Sequence, residues 1–274
     1  MFRSLLLLSL PLLAQPPADE ILSKVAENFA RGPELRREYV YTETILTRLH
    51  RSDGKLAREE QREYSVTPTG TRTEKKLTRH SGRYRKGNQY ISYLEPDAKL
   101  PEHHRSDAAI AAILAGMFTS EENSRDGVIP GLFPFLPEAL EHYSFSLLGR
   151  ERFRDRDIYR VAFSARSGPN LSHPWAGEAL IDVEDLHPLQ IQTRLAPKFP
   201  FVVRTLFGTN LKQSGFSATY KRVAPGVWFP ETYGTEFLVQ VLFGAYKRVV
   251  TMALEAKDFR RVRADSSVSF EPVR

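Results

Sequence analysis

The chain has seven histidines and no cysteine among its 274 residues, which narrows the chemistry open to it. Without cysteine there is no disulfide, no thiolate metal site and no thiol nucleophile. The spaced motifs of serine hydrolases, zinc peptidases, P-loop proteins and dinucleotide-binding turns are all missing. His103 and His104 are adjacent, and neighbours on a chain point apart, so the pair is a poor metal chelate. Asp182, Glu184 and Asp185 are the densest acidic group. They surround a hairpin turn, where carboxylates are commonly solvated, and a paired-carboxylate site is the rarer alternative. Asn170-Leu171-Ser172 fits a glycosylation acceptor, meaningful only in a host that glycosylates. These residues call for no catalytic group, no metal and no cofactor.

What does stand out is apolar. Val128 to Pro137 carries three prolines in a strongly apolar run, which bars a regular element. Phe199-Pro200-Phe201-Val202-Val203 and the run Phe237 to Phe243 are apolar at successive positions, as in strands covered on both faces. The cover is either a helix, giving a thick core, or a bound lipid lying between sheet and helices.

The elements that must hold these residues follow from periodicity. Arg3, the apolar run Leu5 to Leu13 and the small Ala14 have the three-part layout of a secretory signal over residues 1–14. The run is too short to span a bilayer, which needs about 20 apolar residues. Loss of Arg3 lowers the formal charge of +6 by one. Such a small charge, dispersed among acids, argues against nucleic acid. Mixed runs such as Arg58 to Glu63 read as a solvated face. Ile21, Leu22, Val25 and Phe29 form one apolar stripe, predicting a helix from Ala18 that Gly32-Pro33 stops.

Period-two patterns then predict strands over Arg37–His50, Leu56–Thr67, Thr71–His80 and Gly82–Leu94, with turns at Asp53-Gly54 and Gly87-Asn88. Residues 95–140 interrupt this meander with a helix over 108–118, capped by Asp107. Hairpins resume at Tyr143 and continue to Phe259. The expected fold class is mainly β with a helical insertion: a strongly curved antiparallel sheet of about eleven strands, an incomplete barrel lidded by helices, in one domain over residues 15–274.

Three motifs, in order, resemble one family. Asp19-Glu20-Ile21-Leu22-Ser23-Lys24-Val25 looks like its first helix. Gly177 to Asp182 followed by Leu186-His187-Pro188-Leu189 is similar to its "G-x-x-x-I-D … x-P" hairpin, and Tyr220 with Gly226-Val227-Trp228-Phe229-Pro230 resembles its "Y … G-x-W-x-P" turn. The chain therefore resembles the LolA/LolB-like superfamily, the outer-membrane lipoprotein-sorting group. That resemblance implies a half-open barrel with an apolar cavity, and a periplasmic carrier of lipid or lipoprotein acyl chains rather than an enzyme. Membrane-associated donor and acceptor proteins would be its partners. Ile110, Leu114, Phe118, Phe133, Phe135, Phe201, Phe207 and Trp228 are the candidate cavity and lid residues. Three other readings stay open: a regulatory protein holding a protein partner in the same barrel, an outer-membrane barrel, and a hydrolase.

Overall fold

The computed structural model describes residues 17–69, 72–94, 102–119, 134–166, 175–195, 209–241 and 246–262. The proposed signal over 1–14 and the run Phe199–Val203 lie outside them. Eleven antiparallel strands form one sheet: β1 (Tyr39–His50), β2 (Leu56–Thr69), β3 (Arg72–Lys86), β4 (Gln89–Tyr93), β5 (Tyr143–Phe153), β6 (Arg156–Ala165), β7 (Trp175–Asp182), β8 (Pro188–Leu195), β9 (Thr209–Ala224), β10 (Val227–Val241) and β11 (Tyr246–Arg261). Three helices accompany it: α1 (Ala18–Arg36), α2 (Glu102–Thr119) and α3 (Pro137–Leu140).

The order across the sheet is β4-β3-β2-β1-β11-β10-β9-β8-β7-β6-β5. Strand β1 therefore lies inside the sheet, between β2 and β11, and the two edges are β4 and β5. Those edges do not pair with each other, so the sheet is an incomplete barrel and not a closed one. The chain leaves one edge at β4 and re-enters at the other at β5. Helices α2 and α3 belong to the connection between those two edges.

The inner face is apolar because the strands alternate. On β1 every second residue is buried, the apolar Tyr39, Tyr41, Ile45 and Leu49 together with Glu43 and Thr47. The four apolar residues join Val161 and Phe163 of β6, Ile191 of β8, Phe216 of β9, Tyr233 of β10 and Leu254 of β11 in one core. Helix α1 adds Ile21, Leu22 and Val25 and packs against β10. It also outruns the expected stop, passing through Pro33 to Arg36. Beyond that proline the last turn is tied to the sheet, where Arg36 Nη1 donates to the Trp228 carbonyl at 2.9 Å.

Two other expectations are corrected. Strand β3 does not break at Ser81-Gly82 but runs through to Lys86, because Gly82 is a sheet position facing Tyr93 and not a turn. The Arg58–Glu63 run is not a solvated face. Only Glu59, Gln61 and Glu63 point outward, with Glu59 bridging Arg48 and Arg83 at 2.6 and 3.0 Å. Arg58 and Glu60 point inward and are buried.

Gly177, the glycine of the resembling hairpin, has a steric reason. A Cβ there would lie 2.0 Å from the Gln192 carbonyl oxygen and 2.9 Å from the Phe163 ring. Backbone cannot yield as a flexible side chain can. Gly177→Ala is expected to destabilise the fold by about 1–3 kcal/mol, read as a lower urea midpoint; an unchanged midpoint would refute the close approach.

Candidate functional site

Two constellations of polar side chains are built into the barrel, one at each end. The first surrounds the β7–β8 turn, beneath α1. Asp182 is buried and accepts from the backbone N–H of Asp185 at 2.7 Å and from Arg156 Nη1. Asp185 accepts from the Trp228 indole at 3.0 Å and pairs with Arg222 at 3.2 Å. The three carboxylates of Asp182, Glu184 and Asp185 approach within 4.8 Å of one another. Arg156 and Arg222 supply the compensating charge, and both also approach Glu184 at 3.9 Å. The cluster thus holds a turn that needs holding, for Leu186 sits at φ +47°.

His187 completes this corner. It lies flat against Trp228, with ring centroids 5.1 Å apart, and edge-on to Tyr220 at 5.2 Å. Its Nδ1 donates to the Pro188 carbonyl at 2.9 Å in the neutral tautomer that burial favours. Burial pushes its pKa down to about 3, and the charge of Arg36 adds to that against the opposing carbonyl. On the outer side a groove of about 300 Å³ is lined by Phe153, Arg156, Leu189, Tyr220, Arg222 and Trp228. The residues that carry the family resemblance meet here. They build a structural corner.

The second constellation lies at the α2 end. Helix α2 packs against β1 and β2, with Ala111 in the core and Ile110 against it. Asp107 was expected to cap the helix. It instead sits inside it, buried, and its carboxylate accepts from Tyr246 Oη and from Arg248 at 2.9 and 3.3 Å. One helix is thereby latched to the start of β11. Nearby on the inner face are Arg58, Glu60, Arg62, His80 and Tyr93, with Lys75 paired to the fully buried Glu43 at 3.0 Å.

The proposed cavity residues separate by position. Phe135 is fully buried against Phe145 and Phe163 on the β5–β6 side, and Ile110 packs from α2. Trp228 belongs to the opposite corner, hydrogen-bonded to Asp185. Phe133, Phe201 and Phe207 lie outside the described residues, as do the side chains of Leu114, Phe118, His103 and His104. Sequence reasoning missed Asp107 as an anchor and the inward half of the Arg58–Arg62 run. Its strict alternation with Glu59 and Gln61 was the signal available.

No family model and no curated protein matches the chain. Among solved structures it is similar to a proposed outer membrane lipoprotein-sorting protein domain from Vibrio parahaemolyticus, at 13% identity and a TM-score of 0.39, covering 92% of this chain and 95% of that one. A LolA superfamily protein from Nitrosomonas europaea is similar at 12% identity and TM-score 0.35, covering 91% and 94%. The MucA/MucB complex of Pseudomonas aeruginosa contains a chain similar at 12% identity and TM-score 0.23, covering 88% and 99%. The group whose motifs the sequence resembles is thus among them. Likeness at this level transfers neither a ligand nor a role.

Two outcomes follow from the two ends. Asp107→Asn keeps the shape but halves the latch, so deuterium uptake in peptides from 102–119 should rise while that of β1 stays unchanged; equal uptake would dismiss the latch. His187 has its native pKa below the ordinary value of about 6.5, so its contribution is full above that pH and is lost as pH falls towards 3. Between pH 7 and 5 the unfolding free energy should fall by up to about 2 kcal/mol more in the wild type than in His187→Phe. Parallel pH profiles would refute it.

Proposed function

We propose that this chain is a periplasmic carrier, exported by its N-terminal signal, that shelters the acyl chains of a lipid or lipoprotein on the inner face of its sheet. In this reading it is a binding protein and not an enzyme, and residues 15–274 work as one half-barrel. The observation that carries it is the open sheet. Its apolar inner face is covered by helices rather than by a second sheet, and among the described residues the polar attachment of α2 is the carboxylate of Asp107. A cover held by apolar packing and a polar latch can exchange with a ligand of the same apolar character. Phe135 and Ile110 are the described residues best placed to touch an acyl chain.

The energetics of such a carrier ask for little reactive chemistry. Burying an acyl chain stabilises a complex by about 0.8 kcal/mol per CH₂, or about 12 kcal/mol for 16 carbons leaving water. A chain leaving a bilayer gains almost nothing, because the bilayer already shelters it. Transfer between membrane-associated donor and acceptor proteins then turns on small differences in fit and in the cost of displacing the cover.

A second reading, a regulator that holds a protein partner, is favoured by one edge. Strand β4 ends the sheet with Tyr90 and Ile91 exposed and Leu94 just beyond them, a surface on which an extended segment can pair. Mass spectrometry of organic extracts from gently purified native protein separates the two. The carrier reading expects co-purifying lipid and displacement of a fluorescent acyl probe. Protein without lipid that also binds no probe would end it.

A further inference from the structure

The inner face changes character on its way to the β4 edge. From β11 to β5 it is mostly apolar, but across β2, β3 and β4, and at Glu43 of β1, it carries charge. Arg58, Glu60 and Arg62 lie opposite Leu49, Thr47 and Ile45 of β1, which fixes them to the inner face. Opposite them on β3 stand Tyr84, Gly82 and His80, and Tyr93 of β4 lies over Gly82, where a Cβ would come within 2.3 Å of its ring. The side chains of Arg58 and Glu60 are 1% and 4% exposed, and that of Arg62 is 15% exposed.

Glu60 is shared by all of them. Its Oε1 accepts from Arg58 Nε at 2.8 Å, from Arg58 Nη2 and from Tyr93 Oη at 2.8 Å, and its Oε2 accepts from Arg62 Nη2 at 3.1 Å. Burial alone would raise this carboxyl, but Arg58, Tyr93 and Arg62 outweigh it and hold it below the usual carboxylate range. His80 lies 3.7 Å from Oε2, and burial lowers its pKa against the pull of Glu60.

The cluster is therefore short of negative charge and of acceptors. Two guanidiniums face one carboxylate, and Glu43, the next acid on this face, pairs with Lys75 at 3.0 and 3.1 Å. Among the described residues, Arg58 Nη1, Arg62 Nε and both His80 ring nitrogens are buried without a hydrogen-bond partner. Arg58 also stacks over the Tyr93 ring at 4.9 Å, which stabilises the cation but accepts none of its in-plane N–H groups. Buried guanidinium donors are rarely left unmade, because their desolvation is then uncompensated.

We propose that Arg58, Arg62 and His80 are the head-group end of the ligand site, accepting the carboxylate or phosphate of an anionic amphipathic lipid. Its chain would lie along the apolar face beyond Ile45. This rests on the carrier reading and adds a charge preference to it. The planar, forked donors of arginine match both oxyanions, so the shared chemistry is an oxyanion on an acyl chain. Arg62 is the most exposed member and the point of first contact. Since α2 packs over β1 and β2, displacing it uncovers the acyl face and the cations together.

The test is competition on purified protein against one neutral fluorescent acyl probe. Palmitate is compared with palmityl alcohol, and palmitoyl lysophosphatidate with monopalmitoylglycerol. At least one anion should bind about tenfold or more tightly than its neutral partner. Arg62→Met and Arg58→Met should bring that ratio near one while neutral affinity holds within about threefold. A preference confined to palmitate assigns a fatty acid, and one confined to lysophosphatidate a phospholipid. Should Arg58→Met fail to fold by circular dichroism, Arg62→Met decides alone. Equal binding of charged and neutral partners, or a preference that survives substitution, overturns the head-group site and leaves the carrier reading standing. Binding of no acyl ligand overturns both.

Discussion

A sheet with one apolar face must bury that face, and here, among the described residues, the N-terminal helix α1 and the helices of the β4–β5 connection do so. A sandwich uses a second sheet, and a closed barrel uses its opposite wall. This sheet stops at β4 and β5 without pairing them, so the connection between those edges has to pass over the opening. Helix α2 is on that path by topology, whatever its sequence. Its sequence then decides how it is held: small and apolar residues against β1 and β2, and one buried carboxylate reaching Tyr246 and Arg248. The helical cover is part of the fold and also the element best placed to exchange with something else apolar.

Buried charge is handled differently at the two ends. Beneath α1 the Asp182–Asp185 turn is matched by Arg156, Arg222 and the Trp228 indole. The carboxylates there are matched by cations and N–H groups, although His187 Nε2 is buried without a hydrogen-bond partner among the described residues, and the result joins β7, β8, β10 and α1. At the α2 end the ledger of donors and acceptors does not balance, since Glu60 is saturated while Arg58 and Arg62 still have donors to place. Interiors seldom tolerate that without a purpose. The contrast separates a joint from a site more clearly than residue type does, because both ends are made of arginines, carboxylates and aromatics.

Much of the framework was legible along the chain. Strand alternation placed β1 within two residues, the Asp53-Gly54 turn formed as its types demand, and the interruption between β4 and β5 stood out for its apolar helix. Where the reading erred, a distant residue had outvoted a local preference. Pro33 normally ends a helix, yet Arg36 reaches the Trp228 carbonyl and carries α1 on. Gly82 is a turn former, yet the Tyr93 ring needs the space a side chain would fill. Asp107 is a good cap, yet Arg248 and Tyr246 claim it from β11.

By itself, then, the sequence determined the class of this protein: strand and helix periods, turn chemistry and the missing cysteines need only neighbours on the chain to act. Only tertiary structure decided which face of β2 is inside. Alternation says that Arg58, Glu60 and Arg62 share a face, but not which one, and a charged face is ordinarily the wet one. Pairing with β1 turns that face inward, because the other register would bring Glu59, Gln61 and Glu63 inside in their place and put Tyr64 and Val66 of β2 in water. The cost of drowning those apolar side chains exceeds that of burying charges that can find Glu60 and Tyr93. A core requirement on one strand thus placed two cations inside the barrel, where no local rule would have put them.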